Sequence, residues 1–320
     1  MLLLIVVLIF AFSSCQKLSY NKLRANYHFT KANKYFTDNL YRKAMTEYEA
    51  ALKYDPNLTQ AYRFLGESYK QLYKQGLDSK ENKEKANNSL TALGKALEIE
   101  PSNKDIIYSL GDMYDKMRDF QNAERMYLKI LQLEPQNMGN YYVLAEFYKR
   151  YAGDSPEIAK KAEAMYFKRI EADPENPQGY AYIANYYDNI TPIPEFDKAM
   201  EFNKIRAQLE PKNAEIYYAI GVNRFFKAYR LQNKLPPEER AVLGRDSEQY
   251  LLKAIDLDPS YPWSYAYMKM LYVNVFAKVY PDKESRYTAE ADRWGEKFSE
   301  VQKKELDRKK LEKELKKSTG

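Results

Sequence analysis

Residues 104–137 read KDIIYSLGDMYDKMRDFQNAERMYLKILQLEPQN. Apolar residues recur in it at helical spacing, twice. Ile107, Leu110, Gly111 and Tyr114 share one face of a first segment, and Ala123, Tyr127, Ile130 and Leu131 share one face of a second. Pro135 stops the second segment, because proline has no N–H to give and restricts the residue before it. Gly111 and Ala123 are small where two paired helices would cross closely. The stretch therefore predicts a helical hairpin that is apolar on one side and needs a neighbour to cover it.

The rest of the chain supplies such neighbours. The stretch resembles a tetratricopeptide (TPR) repeat, whose period of 34 residues it matches. The first unit, 25–58, keeps the same period, with Ala32, Tyr35, Ala44, Tyr48, Ala51 and Pro56 at the matching positions. Unit 59–103 keeps Tyr62, Leu65, Gly66, Tyr69, Ala96 and Pro101, with Ser89 in place of the usual Ala and 11 extra residues in the polar stretch 73–85. Units 138–176, 177–213 and 214–261 follow, ending on Pro174, Pro211 and Pro259, and carry five, three and 14 extra residues. Every insertion is expected between the first and second helix of its unit, along one edge of the array. Arg169 and Arg206 stand where Ala is usual, which argues against close neighbour packing there. A partial unit, 262–280, is followed by a capping helix, 281–302, and a charged tail, 303–320, read as a solvated helix. The resemblance implies an all-α fold: a right-handed superhelical α-solenoid of six to seven helix pairs over 25–280, closed by the C-terminal helix.

Composition agrees with a helical chain: 11 glycines in 320 residues and 30% charged residues. A net charge of +6, partly gathered in the tail, is not the dense basic stripe of a nucleic-acid binder. The 31 tyrosines fall largely at repeat core positions, so packing accounts for most of them. His28, the only histidine, takes a core position between helices and has no second histidine for a metal site. No phosphate-cradling glycine loop, metal-spaced cluster or nucleophile motif is present, so no enzyme activity, cofactor or metal is expected.

The N-terminus carries a different message. Residues 2–12 are an unbroken apolar run, too short for the roughly 20 residues a spanning helix needs. The run fits the apolar region of a secretory signal. Phe-Ser-Ser-Cys, ending at Cys15, resembles the bacterial lipobox, although no Lys or Arg precedes the run and Phe12 stands where Leu is usual. The resemblance implies a signal peptide, 1–14, lipidation (palmitate among the acyl chains) of Cys15, and a tether, 15–24. Gln16 after the cysteine points to the periplasmic face of the outer membrane. The alternative is a cleaved signal with an incidental cysteine.

The family resemblance also implies a function. Such arrays are interaction scaffolds whose first helices line a concave groove for a peptide or protein partner. The groove positions carried onto this chain are Phe29, Arg63, Tyr108, Tyr142 and Tyr218 at the fifth place of a first helix. At the ninth place stand Asn33, Glu67, Asp112, Glu146 and Asn185, with Lys149 and Arg150 following. Tyrosine faces beside carboxylates suit a partner segment with apolar and basic groups. The chain resembles lipoproteins that serve envelope assembly or secretion, pilus pilotins among them. The alternatives are a periplasmic spacer without a specific ligand and a non-catalytic subunit of an enzyme complex.

Overall fold

The computed structural model describes residues 2–153, 155–190 and 194–318, with side chains placed from Tyr20 to Leu315. The regular structure of the described residues is helical, without a strand. The helices are α1 Leu2–Thr37, α2 Tyr41–Tyr54, α3 Thr59–Leu72, α4 Lys80–Ile99, α5 Lys104–Lys116, α6 Phe120–Leu133 and α7 Met138–Tyr151. They continue as α8 Pro156–Ala172, α9 Pro177–Asn189, α10 Phe196–Leu209, α11 Ala214–Arg230, α12 Pro237–Leu257 and α13 Pro262–Leu271. A π-helical turn, Tyr272–Phe276, leads to α14 Ala277–Val279, a 3-10 turn and α15 Glu284–Ser318. The chain forms two compact units, Met1–Leu144 and Ala145–Gly320.

The predicted hairpin is α5–α6, and its neighbours repeat it as consecutive packed pairs: α1 with α2, α3 with α4, α9 with α10, α11 with α12. Each core is built from the small and aromatic residues of the repeat. In the first unit Ala32, Ala44, Tyr48, Ala51, Ala61 and Leu65 are buried together, with Phe29, Tyr35 and Phe64 packed on them. Close crossing needs glycine at specific points. A Cβ on Gly66 would lie 2.6 Å from Leu93 Cγ, and one on Gly221 would lie 2.7 Å from Leu251 Cγ. At these two crossings a serine replaces the repeat's alanine: Ser89 donates to the Gly66 carbonyl and Ser247 to the Gly221 carbonyl, each at 2.8 Å. Glycine brings the backbone carbonyl near enough for the hydroxyl to reach it, so the substitution costs no unpaired polar group.

The turns between pairs also repeat. Asn103, Asn176 and Asn213 cap the following helix with their side-chain oxygens. The amide nitrogen of each reaches back to the carboxylate three residues earlier, Glu100, Asp173 and Glu210. One asparagine thus satisfies otherwise orphaned helix-start donors and fastens the turn. The tyrosine at the fourth place of the next helix completes it. Tyr141, Tyr180, Tyr217 and Tyr265 donate their hydroxyls to the carbonyls of Pro135, Pro174, Pro211 and Pro259 at 2.9–3.1 Å.

Among the described residues the extra length of the enlarged units is shared between the connections and longer helices, α11 with 17 residues against 13 for α5 among them; residue 154, in the insertion of unit 138–176, lies outside the described residues. α4 has 20 residues, α8 17 and α12 21, against 14 for α6. Part of the insertion in unit 177–213, at 191–193, lies outside the described residues.

Both ends of the described chain are helical. The segment 15–24, read as a tether, is helical and part of α1, with no proline or glycine to interrupt Leu2–Thr37. The Cys15 side chain lies outside the described side chains. The capping helix and the tail are likewise one helix, α15, with no break near residue 302. Its first half packs on the array: Ala291 is buried, Trp294 faces Tyr265 at 6.1 Å and Phe298 faces Trp263 at 6.2 Å. Its second half leaves Leu306 and Leu311 exposed. No helix among the described residues is long and apolar enough to cross a membrane.

Candidate functional site

The groove positions separate into buried packing, paired charge and open aromatic surface. Phe29 belongs to the first core, with its ring 5.9 Å from Tyr48 and 6.3 Å from Phe64. Asn33 accepts the Tyr48 hydroxyl at 2.8 Å. Arg63 binds Asp105 at 3.2 Å and lies over the Phe64 ring. Asn33 fastens the first pair internally, and Phe29 and Arg63 serve the joints between pairs.

Glu67 and Asp112 come together through a residue the sequence reading passed over. Lys70 is only 4% exposed and lies between α3 and α5. Its Nζ is 2.8 Å from Glu67 and 2.6 Å from Asp112. Burial works against the charged ammonium, yet the summed attraction of the two carboxylates overcomes it and holds Lys70 above its ordinary value. The Glu67–Lys70 pair at i,i+3 was visible in the sequence; Asp112, 42 residues beyond Lys70, joins it only in the fold.

Tyr108 is different. It is 47% exposed and stands edge-on to Tyr127, with centroids 6.0 Å apart. With Tyr127, Ile130, Asn140 and Val143 it lines a small apolar notch where α5, α6 and α7 meet. Tyr142 is half-buried on the same stretch of α7.

In the second unit Glu146 accepts the Tyr166 hydroxyl at 2.6 Å and pairs with Lys149 at 2.6 Å. Arg150 lies over the Phe147 ring. Asn185 is exposed on α9. Tyr218 is held edge-on by Tyr261 and Tyr267 at 5.1 and 5.6 Å, and burial pushes its phenol well above the ordinary range. The two arginines at alanine positions find places in the array: Arg169 covers the Tyr182 ring at 4.8 Å, and Arg206 bonds Asn203 at 2.8 Å.

His28 is half-buried between helices as expected, with Nδ1 2.7 Å from Glu47 and its ring stacked on Tyr54. The His28 hydrogen bond, then that of Lys31, holds the Glu47 carboxyl below its ordinary value. Among the described residues no group of three or more His, Cys, Asp or Glu side chains is placed to hold a metal ion.

The fold defines an all-α protein of consecutive helix pairs, and the comparisons with known proteins specify the repeat. The family model described as Tetratricopeptide repeat matches residues 105–137, which form α5 and α6. That pair is similar to a TPR repeat, and the neighbouring helices pack in consecutive pairs as it does. No curated protein matches the chain. Among solved structures, the MamA protein is similar over 60% of this chain and 94% of its own, at 23% identity and a TM-score of 0.44. YrrB, described as a TPR protein with an unusual peptide-binding site, is similar over 68% and 95%, at 18% identity and a TM-score of 0.38. PilF of Pseudomonas aeruginosa is similar over 75% and 94%, at 14% identity and a TM-score of 0.44. Likeness at this distance bears on neither site nor ligand.

Proposed function

We propose that the chain is a non-catalytic, membrane-anchored interaction scaffold that receives a protein or peptide segment on the first-helix face around Tyr108. Its role is that of an accessory factor in envelope assembly or secretion. The observation that supports the groove reading is the contrast between Tyr108 and its neighbours. Glu67, Asp112 and Glu146 already have cationic partners, whereas Tyr108 offers a half-exposed ring beside an apolar notch. This surface offers an open apolar notch, so the partner's anchor is an apolar side chain and basic groups are secondary. An aromatic ring with a hydrogen-bonding tip is the residue type that dominates such contacts.

The anchor reading rests on the sequence alone: the apolar run 2–12 followed by Phe-Ser-Ser-Cys. Several acyl chains on Cys15 hold a protein stably at a membrane, where one gives marginal binding. Mass measurement of the intact mature protein is expected to start at Cys15 with added lipid. An unmodified start elsewhere removes the anchor and leaves the groove reading standing.

The groove is tested by the double change Tyr108→Ala, Tyr142→Ala. Recovery of the partner from crosslinked membranes is expected to collapse while stability falls by about 1 kcal/mol, the scale of a lost aromatic pair. Unchanged recovery places the binding surface elsewhere.

A further inference from the structure

The outer side of α1 carries an apolar stripe that the repeat packing does not use. Ala25 and Ala32 are buried on the side of α1 that packs on α2. Tyr20, Leu23 and Tyr27 stand three and four residues apart on the opposite side, where they share one helix face. They are 53%, 67% and 64% exposed. One exposed apolar residue is ordinary, whereas three large ones in successive turns make a patch. Lys34, seven residues beyond Tyr27 and also exposed, continues the same stripe.

The helix has charge of one sign. Leu2–Thr37 holds Lys17, Lys22, Arg24, Lys31 and Lys34 and no Asp or Glu. Lys31 is paired with Glu47 of α2 at 2.7 Å. Arg24 is held on tyrosine instead: it donates to the Tyr54 hydroxyl at 3.1 Å and lies 5.2 Å from the centre of the Tyr20 ring, contacts that leave its charge in place. Lys22 and Lys34 are exposed. The same helix begins with the apolar run 2–12. Like every described helix, it is not long and apolar enough to cross a membrane.

We infer that α1 lies along the surface of an anionic bilayer, with Tyr20, Leu23 and Tyr27 set among the lipid headgroups and the basic side chains near lipid phosphates. Tyrosine, apolar in body and polar at its tip, is the residue type enriched at the membrane–water interface. Uniform positive charge matches an anionic lipid surface and acts over a Debye length, so each lysine need not touch a phosphate. Continuity with the apolar run selects a lipid surface over a protein partner. From Tyr20 to Lys34 the stripe is about 21 Å long by helical rise. That length sets the tilt of the first helix pair on the surface, which an acyl anchor alone leaves free. The inference deepens the membrane-anchored reading and rests on it for where the chain resides; its test removes Cys15, so the two fail separately.

The test uses the full chain with Cys15→Ser, which cannot be acylated at that position, and vesicles of phosphatidylcholine alone or mixed equally with phosphatidylglycerol. Co-sedimentation is expected to be at least about tenfold stronger on the mixed vesicles and to weaken as salt is raised. The triple change Tyr20→Gln, Leu23→Gln, Tyr27→Gln is expected to lower binding to the mixed vesicles by at least about tenfold while the melting temperature stays nearly unchanged. Lys22→Gln with Lys34→Gln is expected to remove most of the preference for phosphatidylglycerol. Leu306→Gln with Leu311→Gln, two exposed leucines of α15, is expected to leave binding as it is. Equal binding to both vesicles, or a charge variant with its preference intact, overturns the inference. So does a triple variant that binds as its parent does, which assigns the contact to the apolar run alone. If that variant loses a crosslinked protein instead, the stripe is a protein interface. An unmodified native N-terminus removes the anchor and leaves this vesicle binding standing.

Discussion

Lys70 shows what a single side chain can hold together. Removing one member of a buried ion cluster leaves the others desolvated and unpaired, which costs more than the cluster itself contributes. Lys70→Met is therefore expected to lower stability by roughly 2–4 kcal/mol, measured by urea unfolding, with Asp112 the partner less affected because it is partly solvated. Asp188 is the opposite case. Burial pushes its carboxyl up to about 6, although the Asn223 amide bond and Arg224 pull it back. The folded chain then holds this proton more tightly than the unfolded chain. Stability falls as pH rises from the unfolded value, about 4, through the folded value, and the loss is complete above it. Asp188→Asn keeps an acceptor for Asn223 and removes the charge. It is expected to raise stability at pH 7 by roughly 1–3 kcal/mol and to flatten the pH dependence between those two values. A loss of stability at pH 7 would show that Arg224 and Arg230 compensate the buried charge fully.

The turn between helix pairs is the repeating element, and tyrosine is part of it. The fourth-place tyrosine donates to the proline carbonyl in four successive turns. Two units lack it: His28 and Ile107 occupy the position in units 25–58 and 104–137. His28 instead turns to Glu47. Tyr217→Phe deletes only the hydroxyl and leaves the Pro211 carbonyl at a partly buried turn. It is expected to cost about 1 kcal/mol in thermal or urea unfolding. The matching change Ile107→Val, which touches no hydrogen bond, is expected to cost about the same through lost packing, so the two separate the polar and apolar parts of the repeat.

Within each compact unit, helices pack on their neighbours in sequence, which makes stability a sum of local terms. A lesion in one pair is then felt there first. Gly221→Ala places a Cβ 2.7 Å from Leu251 Cγ and 3.2 Å from the Leu251 backbone nitrogen. Backbone cannot yield as a side-chain end can, so the change is expected to destabilise by about 1–3 kcal/mol. Hydrogen exchange should rise in α11 and α12 and stay unchanged in α3 and α4. Equal loss of protection in both units would mean that the chain unfolds as one cooperative body.

The sequence by itself determined the helix pairs, their order and the proline-bounded turns. These are local: they follow from helical spacing, from proline's missing donor and from glycine's missing side chain, all of which act within a few residues. Tertiary structure decided which surface residues are open. Glu67, Asp112 and Glu146 read as carboxylates available to a partner, and they are held by Lys70 and Lys149. Phe29 read as groove surface, and it is half-buried against the first core. Ser89 read as a departure from the repeat, and it bonds the carbonyl that Gly66 brings close. A cleft beside the α3–α4 loop escaped the sequence altogether, because Met117 reaches it from one repeat and Leu77 and Asn82 from another. Charge pairing and exposure depend on residues far apart in the chain, and only the packing of one pair on the next brings those residues into contact.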